Sequence, residues 1–265
     1  MSLRTASVLL TACLVAGAHA AELADFRTGG RTFQADVYRP AGAPRGTVVL
    51  AHGFLRDRHS LSSLARELAE RGALVIVPDL PFLADPSANA VALADIVIDT
   101  RAGRFGAVPA GTVLVGYSAG GLATLLATVR TPGISGWIGL DPVDRAGEGV
   151  HAAARVSPPA LMLRAAPDRC NAYANSHSWG SFLPRLSRDT LIPGATHCDF
   201  EDADDLVCAG LCGAADPQRQ ATIRAEVAAA VDQWLKSVPG VAPAIIGAAP
   251  RSARRLPPSA ASRCR

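Results

Sequence analysis

Aromatic residues and long apolar runs are both scarce in this sequence of 265 residues. Phe, Trp and Tyr together make up 5% of the chain, so Ala, Val and Leu must fill most of any core. Beyond residue 20 no stretch is apolar over the length of about 20 residues that a transmembrane helix needs, and no internal repeat is present. A hydrophobic content of 49% and a mean hydropathy of +0.21 still allow a sizeable core. These values exclude a disordered or fibrous chain and fit one globular domain.

Two terminal segments are expected to lie outside that domain. Residues 1–20 combine Arg4, an apolar stretch and an A-x-A cleavage motif, which is typical of a signal peptide. The alternative is a lipobox at 10–13, which would leave a lipid on Cys13. Residues 238–265 are a mixture of Pro, Ala and Arg without helical or strand periodicity and are expected to be disordered. The sequence thus predicts an exported, periplasmic or secreted domain over 21–237.

Basic residues are concentrated in the two terminal segments. The sequence has 26 Lys and Arg against 23 Asp and Glu, but one Arg lies in 1–20 and five lie in 238–265, which contain no acidic residue. The domain between them therefore has 20 basic and 23 acidic residues and a net charge of −3. This balance excludes a basic face of the kind that binds nucleic acid.

The six cysteines fit an oxidising compartment. One lies in the signal peptide and Cys264 lies in the tail, which leaves Cys170, Cys198, Cys208 and Cys212 inside the domain. Four cysteines allow three pairings. The preferred pairing is Cys170–Cys198 with Cys208–Cys212, because the first bridge would join two loops that border the expected site. The spacings match no zinc pattern, so no metal site is expected.

Strand-like and helix-like segments alternate along the chain. This alternation predicts an α/β fold with a mostly parallel sheet of about eight strands and helices on both faces, opened by an antiparallel hairpin that turns at Gly29-Gly30. Roughly twenty residues separate the strands ending at Leu140 and beginning at Ala160, too few for a lid domain, so an open site is expected. The predicted strands are 23–27, 32–38, 47–51, 73–77, 112–116, 137–140, 160–163 and 190–192. The predicted helices are 61–71, 90–101, 120–129 and 217–235.

The motif GYSAG at 116–120 lies between a predicted strand and a predicted helix. A nucleophilic serine needs such a sharp strand-to-helix turn, and glycines two residues before and after it let neighbouring backbones pass closely. Ser118 is therefore the candidate nucleophile, and the backbone N–H of Ala119 is a candidate oxyanion donor at the helix N-terminus. Phe54, in the loop after strand 47–51, is the candidate for the second donor. The alternative for the motif is a packing turn without chemistry.

A base and an acid for Ser118 should follow later strands. His197 lies in the loop after the last predicted strand and is the candidate base. Asp141 and Asp168 each follow a predicted strand, and either could orient the imidazole and stabilise the imidazolium ion. Position alone slightly favours Asp168. His52 precedes the serine and is expected to brace its own loop.

Four segments of the sequence resemble the chlorophyllase-like branch of the α/β-hydrolases, over roughly residues 47–213. They are HGFLRDRHSLSSLARELAERGALVIVPDL, LVGYSAGG, IGLDPVD and THCDFEDADD. The resemblance implies an α/β-hydrolase fold without a lid domain, a serine esterase that needs no metal or organic cofactor, and Asp141 as the acid because it opens the D-P-V motif. Tyr117 and Ala119 replace the family's usual His and Arg, and Cys198 stands where the plant enzymes have Leu. We therefore carry over the ester chemistry and not the chlorophyll substrate.

A weaker resemblance is to secreted polyester hydrolases and cutinase-like enzymes. These share a lidless fold and a disulfide joining the acid and histidine loops, which would favour Asp168 and a Cys170–Cys198 bridge. We interpret the sequence as an exported monomeric esterase acting on a small-molecule or lipid-like ester. The rival interpretations are a serine peptidase or amidase of the same fold, and an exported binding protein without activity.

Overall fold

The computed structural model describes residues 21–202 and 206–236. The predicted signal peptide, the predicted tail, Cys13 and Cys264 lie outside the described residues. Within them, eight strands form one sheet in the order β1-β2-β4-β3-β5-β6-β7-β8. The strands are β1 (Glu22–Thr28), β2 (Arg31–Tyr38), β3 (Thr47–Ala51), β4 (Leu74–Pro78), β5 (Thr112–Tyr117), β6 (Gly136–Leu140), β7 (Ala160–Arg164) and β8 (Leu186–Leu191).

The sheet is mixed but mostly parallel. β2 runs antiparallel to both β1 and β4, and every other pair of neighbours is parallel. The opening hairpin, the parallel sheet and the strand count predicted from the sequence are thereby confirmed. Since the carboxyl ends of the parallel strands meet at one edge, the loops after β3, β5, β6, β7 and β8 can converge there.

Helices cover both faces of the sheet and enclose two separate apolar cores. Alternate side chains of β3 point to opposite faces, so Val48 and Leu50 join one core while Val49 joins the other. The first core packs under α1 and α6, and the second under α2, α3 and α4. The helices are α1 (Ser62–Glu70), α2 (Pro86–Arg101), α3 (Ala119–Arg130), α4 (Glu148–Ala153), α5 (Leu206–Cys212) and α6 (Pro217–Lys236).

Four elements differ from the sequence prediction for identifiable reasons. Helix α2 begins four residues earlier than predicted, because the Asp85 side chain accepts the Ala88 N–H and Pro86 occupies the first helical position. Strand β8 extends over half-exposed polar residues at the sheet edge, where no apolar alternation marks it. Helices α4 and α5 are six and seven residues long and are too short to show a helical period.

Within the described residues no lid domain is inserted between β6 and β7, and no described helix could cross a membrane. The connection from β6 to β7 contains only the short helix α4. Among the described residues, none of the helices combines the length and the apolar character that a bilayer span requires.

Among the described cysteines, disulfides join Cys170 to Cys212 and Cys198 to Cys208, so the predicted pairing is wrong. Cys208 and Cys212 are four residues apart on α5. At that helical spacing the Cβ atoms are about 5–6 Å apart, whereas a disulfide needs roughly 3.5–4.5 Å. The two cysteines of α5 therefore bond to two different loops, with Cα–Cα distances of 5.7 and 6.2 Å.

Removing the two disulfides should destabilise the protein unequally. The Cys170–Cys212 bridge closes a separation of 42 residues and the other bridge a separation of 10. Since a longer closed loop removes more freedom from the unfolded chain, serine replacement of the first pair should cost about 4 kcal/mol and of the second about 3 kcal/mol. Chemical denaturation of the two double variants measures both values. A larger loss for the shorter loop would contradict this expectation.

Candidate active site

Ser118 stands at the strained turn between β5 and α3. Its backbone has φ 53° and ψ −122°, a conformation that non-glycine residues rarely adopt and that is typical of functional sites. Close backbone passage makes glycine necessary on both sides. A Cβ on Gly116 would lie 2.2 Å from the Gly120 carbonyl oxygen, and a Cβ on Gly120 would lie 2.4 Å from the carbonyl oxygens of Ala51 and His52. The motif thus lets α3 start directly against the end of β3.

The side chains of Ser118, His197 and Asp141 form one connected chain. Nε2 of His197 lies 3.0 Å from Oγ of Ser118, and its Nδ1 lies 2.6 Å from Oδ2 of Asp141. All three residues are buried. Because a carboxylate can only accept, Nδ1 carries the proton of the neutral ring and Nε2 is free to accept the serine proton. The arrangement can therefore activate the serine hydroxyl.

Asp141 is held from several directions at the end of β6. Its N–H donates to the Leu163 carbonyl at 2.7 Å. Its Oδ1 accepts the Ala165 N–H at 2.9 Å, and Nδ2 of Asn171 lies 3.2 Å from Oδ2. These contacts orient the carboxylate with Oδ2 toward the His197 ring.

Asp168 is used differently. Its Oδ1 accepts the N–H groups of Cys170 and Asn171 at 2.6 and 3.2 Å, which closes the turn in its own loop. The structure therefore brings Asp141, and not Asp168, into contact with His197.

Tyr117 supports the loop that carries His197. The two rings pack with centroids 4.8 Å apart, and the Tyr117 hydroxyl lies 3.2 Å from the His197 carbonyl oxygen and 3.4 Å from Oε1 of Glu201. Burial, followed by the charge of Glu201, raises the pKa of Tyr117 well above its usual value, so the hydroxyl stays a donor. Nε of Arg56 donates to Glu201 at 2.8 Å, which pairs this buried carboxylate.

The sequence prediction did not include Asn171, Tyr117, Glu201 and Arg56 as contributors to the site. Tyr117 was visible inside the serine motif, but nothing in the sequence linked it to His197. Arg56 and Glu201 are 145 residues apart, and a single sequence holds no signal for such a pair.

The predicted oxyanion donors both border the same cavity as Ser118. Ala119 is the first residue of α3, where N–H groups have no partner inside the helix. Phe54 follows a loop braced by His52, whose Nδ1 lies 2.8 Å from the Gly53 carbonyl and whose Nε2 accepts the Leu80 N–H at 2.9 Å. Burial lowers the pKa of His52, which agrees with a neutral ring that accepts at Nε2.

A cavity of about 430 Å³ lies beside Ser118 and has a mainly apolar wall. Three of its wall residues, Phe54, Leu55 and Leu83, are 51%, 66% and 65% exposed, so the cavity opens onto an apolar rim. Leu55 has φ 57°, an unfavourable left-handed conformation for a branched side chain. The larger apolar lining residues are Phe54, Leu55, Leu80, Phe82, Leu83, Leu122 and Val143.

Known proteins share this architecture. A family model described as "Alpha/beta hydrolase family" matches residues 48–258. No curated protein sequence matches the chain.

Three solved structures illustrate the likeness. A dienelactone hydrolase from Anabaena variabilis is 19% identical with a TM-score of 0.63, covering 83% of this chain and 98% of its own. DcsB in complex with its substrate analogue is 14% identical with a TM-score of 0.64, covering 82% and 99%. A dienelactone hydrolase-like promiscuous phosphotriesterase from metagenomic libraries is 15% identical with a TM-score of 0.63, covering 82% and 99%. At these identities the likeness concerns the fold, and the chlorophyllase-like branch stays a prediction.

Gly120→Ala should destabilise the protein and disturb Ser118, because the new Cβ would meet two backbone carbonyl oxygens at 2.4 Å. Overpacking of this kind costs about 1–3 kcal/mol, which thermal unfolding can measure. Gly42→Ala is the matched control, since a Cβ there meets nothing within 4 Å. Equal stability of the two variants would mean that α3 does not pass this close to β3.

Proposed function

Because the chain belongs to the α/β-hydrolase family, we propose that it hydrolyses carboxylic esters through an acyl-enzyme. Ser118 is the nucleophile, His197 the base and Asp141 the acid. The observation that carries this proposal is the unbroken series of contacts from serine to histidine at 3.0 Å and from histidine to aspartate at 2.6 Å. The cavity beside Ser118 supplies space for an ester.

In this mechanism Oγ of Ser118 attacks the ester carbonyl carbon while Nε2 of His197 takes the hydroxyl proton. Asp141 keeps the ring oriented and stabilises the imidazolium ion. The N–H groups of Phe54 and Ala119 stabilise the negative oxygen of the tetrahedral intermediate. His197 then protonates the departing alcohol, and the acyl group remains on Ser118. A water molecule, deprotonated by His197, attacks the acyl carbon, and His197 then returns that proton to Oγ of Ser118 as the carboxylic acid leaves.

The apolar wall favours an ester with an apolar acyl or alcohol group. Removing apolar surface from water contributes about 25 cal/mol per Å² to the binding free energy. An alkyl or aryl group that packs against the side chains around the cavity would therefore bind more tightly than a polar group. Phe54, Leu55 and Leu83 extend this surface to the rim. We therefore propose a small-molecule or lipid-like ester as the substrate.

We also propose that the protein is exported and works as a monomer. The two disulfides among the described residues support an oxidising destination.

Asp141→Asn should lower kcat on a p-nitrophenyl ester by about 10⁴-fold, because the imidazole loses the partner that selects its tautomer. Asp168→Asn is the matched control and should keep most of the activity, since that carboxylate closes its own turn. Steady-state kinetics on both folded variants decide between the two aspartates. Equal losses would contradict the assignment of Asp141.

A fluorophosphonate probe should label the wild type at Ser118 and leave Ser118→Ala unlabelled. A folded wild type that resists the probe would indicate a binding protein without activity. Faster turnover of a peptide p-nitroanilide than of a p-nitrophenyl ester would indicate a peptidase or amidase instead.

Leu55→Ser and Leu83→Ser should lower kcat/KM for p-nitrophenyl octanoate several-fold and leave the acetate nearly unchanged. The octanoyl chain is expected to reach the exposed rim leucines and bury them, and full burial of one leucine contributes about 1.5–3 kcal/mol at most. Ile98→Ser is the control, because Ile98 is 58% exposed on α2 and does not line the cavity. A uniform change across chain lengths would argue against an apolar subsite at the rim.

A further inference from the structure

Asn171 is completely buried behind Asp141 and is hydrogen-bonded at both ends of its amide. Its Oδ1 accepts the N–H groups of Asp168 and Ala174, both at 2.9 Å. Its Nδ2 donates to the Ala166 carbonyl at 2.9 Å and lies 3.2 and 3.4 Å from the two carboxylate oxygens of Asp141. Because Oδ1 accepts from two backbone N–H groups, the Asn171 amide cannot be flipped. Its NH₂ group must therefore face the Asp141 carboxylate.

The backbone after Asn171 is strained. Ala172, Tyr173 and Ala174 have φ values of 50°, 57° and 54°, although non-glycine residues visit the left-handed region singly and at a cost. Three in succession persist only where the surroundings enforce them. The bond from the Ala174 N–H to the Asn171 side chain is one such constraint.

A covalent bond is the second constraint on this loop. Cys170, the neighbour of Asn171, is bonded to Cys212 of α5. The other disulfide joins the same helix to the residue that follows His197. Helix α5 is therefore attached both to the loop that contacts Asp141 and to the loop that carries the histidine.

We propose that Asn171 is a positioning residue for Asp141, and that the disulfide to α5 holds Asn171 in place. The inference rests on the proposed function, in which Asp141 must stay ionised and keep Oδ2 on the His197 ring. The Ala165 N–H holds only Oδ1. The Nδ2 donor of Asn171 lies within reach of both oxygens, so it opposes rotation of the carboxylate.

Asn171→Asp separates the positioning role from a structural one. The new carboxylate keeps the oxygen that accepts the Asp168 and Ala174 N–H groups and replaces only Nδ2, which donates to Asp141 and to the Ala166 carbonyl. On a p-nitrophenyl ester, kcat should fall about ten- to hundred-fold, the usual effect of one hydrogen bond to a charged group. KM should change by less than about twofold, because no substrate contact is lost. Circular dichroism confirms folding.

Asn175→Ala is the matched control in the same loop. Its amide bridges the backbone N–H and carbonyl of Asp144 at 2.8 and 3.0 Å, so it supports the loop without reaching Asp141. Its kcat should stay close to that of the wild type. Asn171→Ala should be less stable than Asn171→Asp, since it also loses the bonds to the loop backbone.

The double variant Cys170→Ser/Cys212→Ser tests whether the disulfide to α5 holds Asn171 in place. Measured well below its unfolding temperature, it should show a lower kcat with an unchanged KM, in smaller measure than Asn171→Asp. Full kcat in the folded double variant would overturn the role of the disulfide.

Wild-type kcat in Asn171→Asp, or a raised KM at unchanged kcat, would overturn the positioning role alone. An inactive wild type that also resists a fluorophosphonate probe would overturn the proposed function, and this inference with it.

Discussion

The close passage of α3 against the end of β3 is the constraint on which the rest of the site depends. Gly120 allows it, because any Cβ there would collide with the carbonyl oxygens of Ala51 and His52. At this passage Ser118 has its strained conformation, and Ser118 and the first residue of α3 line the same cavity. Flanking apolar cores keep the strand and the helix in place, so their burial compensates for the strain. The Ser118 hydroxyl is thereby presented to the His197 ring before any substrate binds.

Much of the fold could be predicted from the sequence because the central strands are buried on both faces. β3 lies where its apolar run predicted it, and the serine motif has the strand-to-helix context that its glycines demand. The disulfide pairing could not be predicted. It depends on a seven-residue helix whose two cysteines, one turn apart, each lie next to a different loop, and the order of cysteines along the chain does not encode which loop each one meets.

The choice between the two aspartates shows a similar limit. Asp141 and Asp168 follow neighbouring strands that end at the same edge of the sheet, so strand order cannot separate them. Local hydrogen bonds make the difference. Asp168 is engaged by the N–H groups of its own turn, whereas Asp141 receives donors from the next strand's loop and faces His197. In this loop Asn171 links the two aspartates, since it contacts the Asp141 carboxylate and the Asp168 backbone.

A site that stays open to solvent needs another way to keep water away from its reacting groups. Enzymes that close over a substrate exclude water by movement and so strengthen the electrostatic interactions of the reacting groups. Here the cavity opens at a rim of exposed apolar side chains, and the β6–β7 connection holds no closing domain. Water must therefore be kept from the reacting groups by burial within the fold itself. Asp141 and His197 are both buried behind the cavity wall. Two disulfides and a paired Arg56–Glu201 bridge brace the loops that form this interior. Since the β6–β7 connection holds no closing domain, substrate selection falls to the shape and apolar character of the cavity wall.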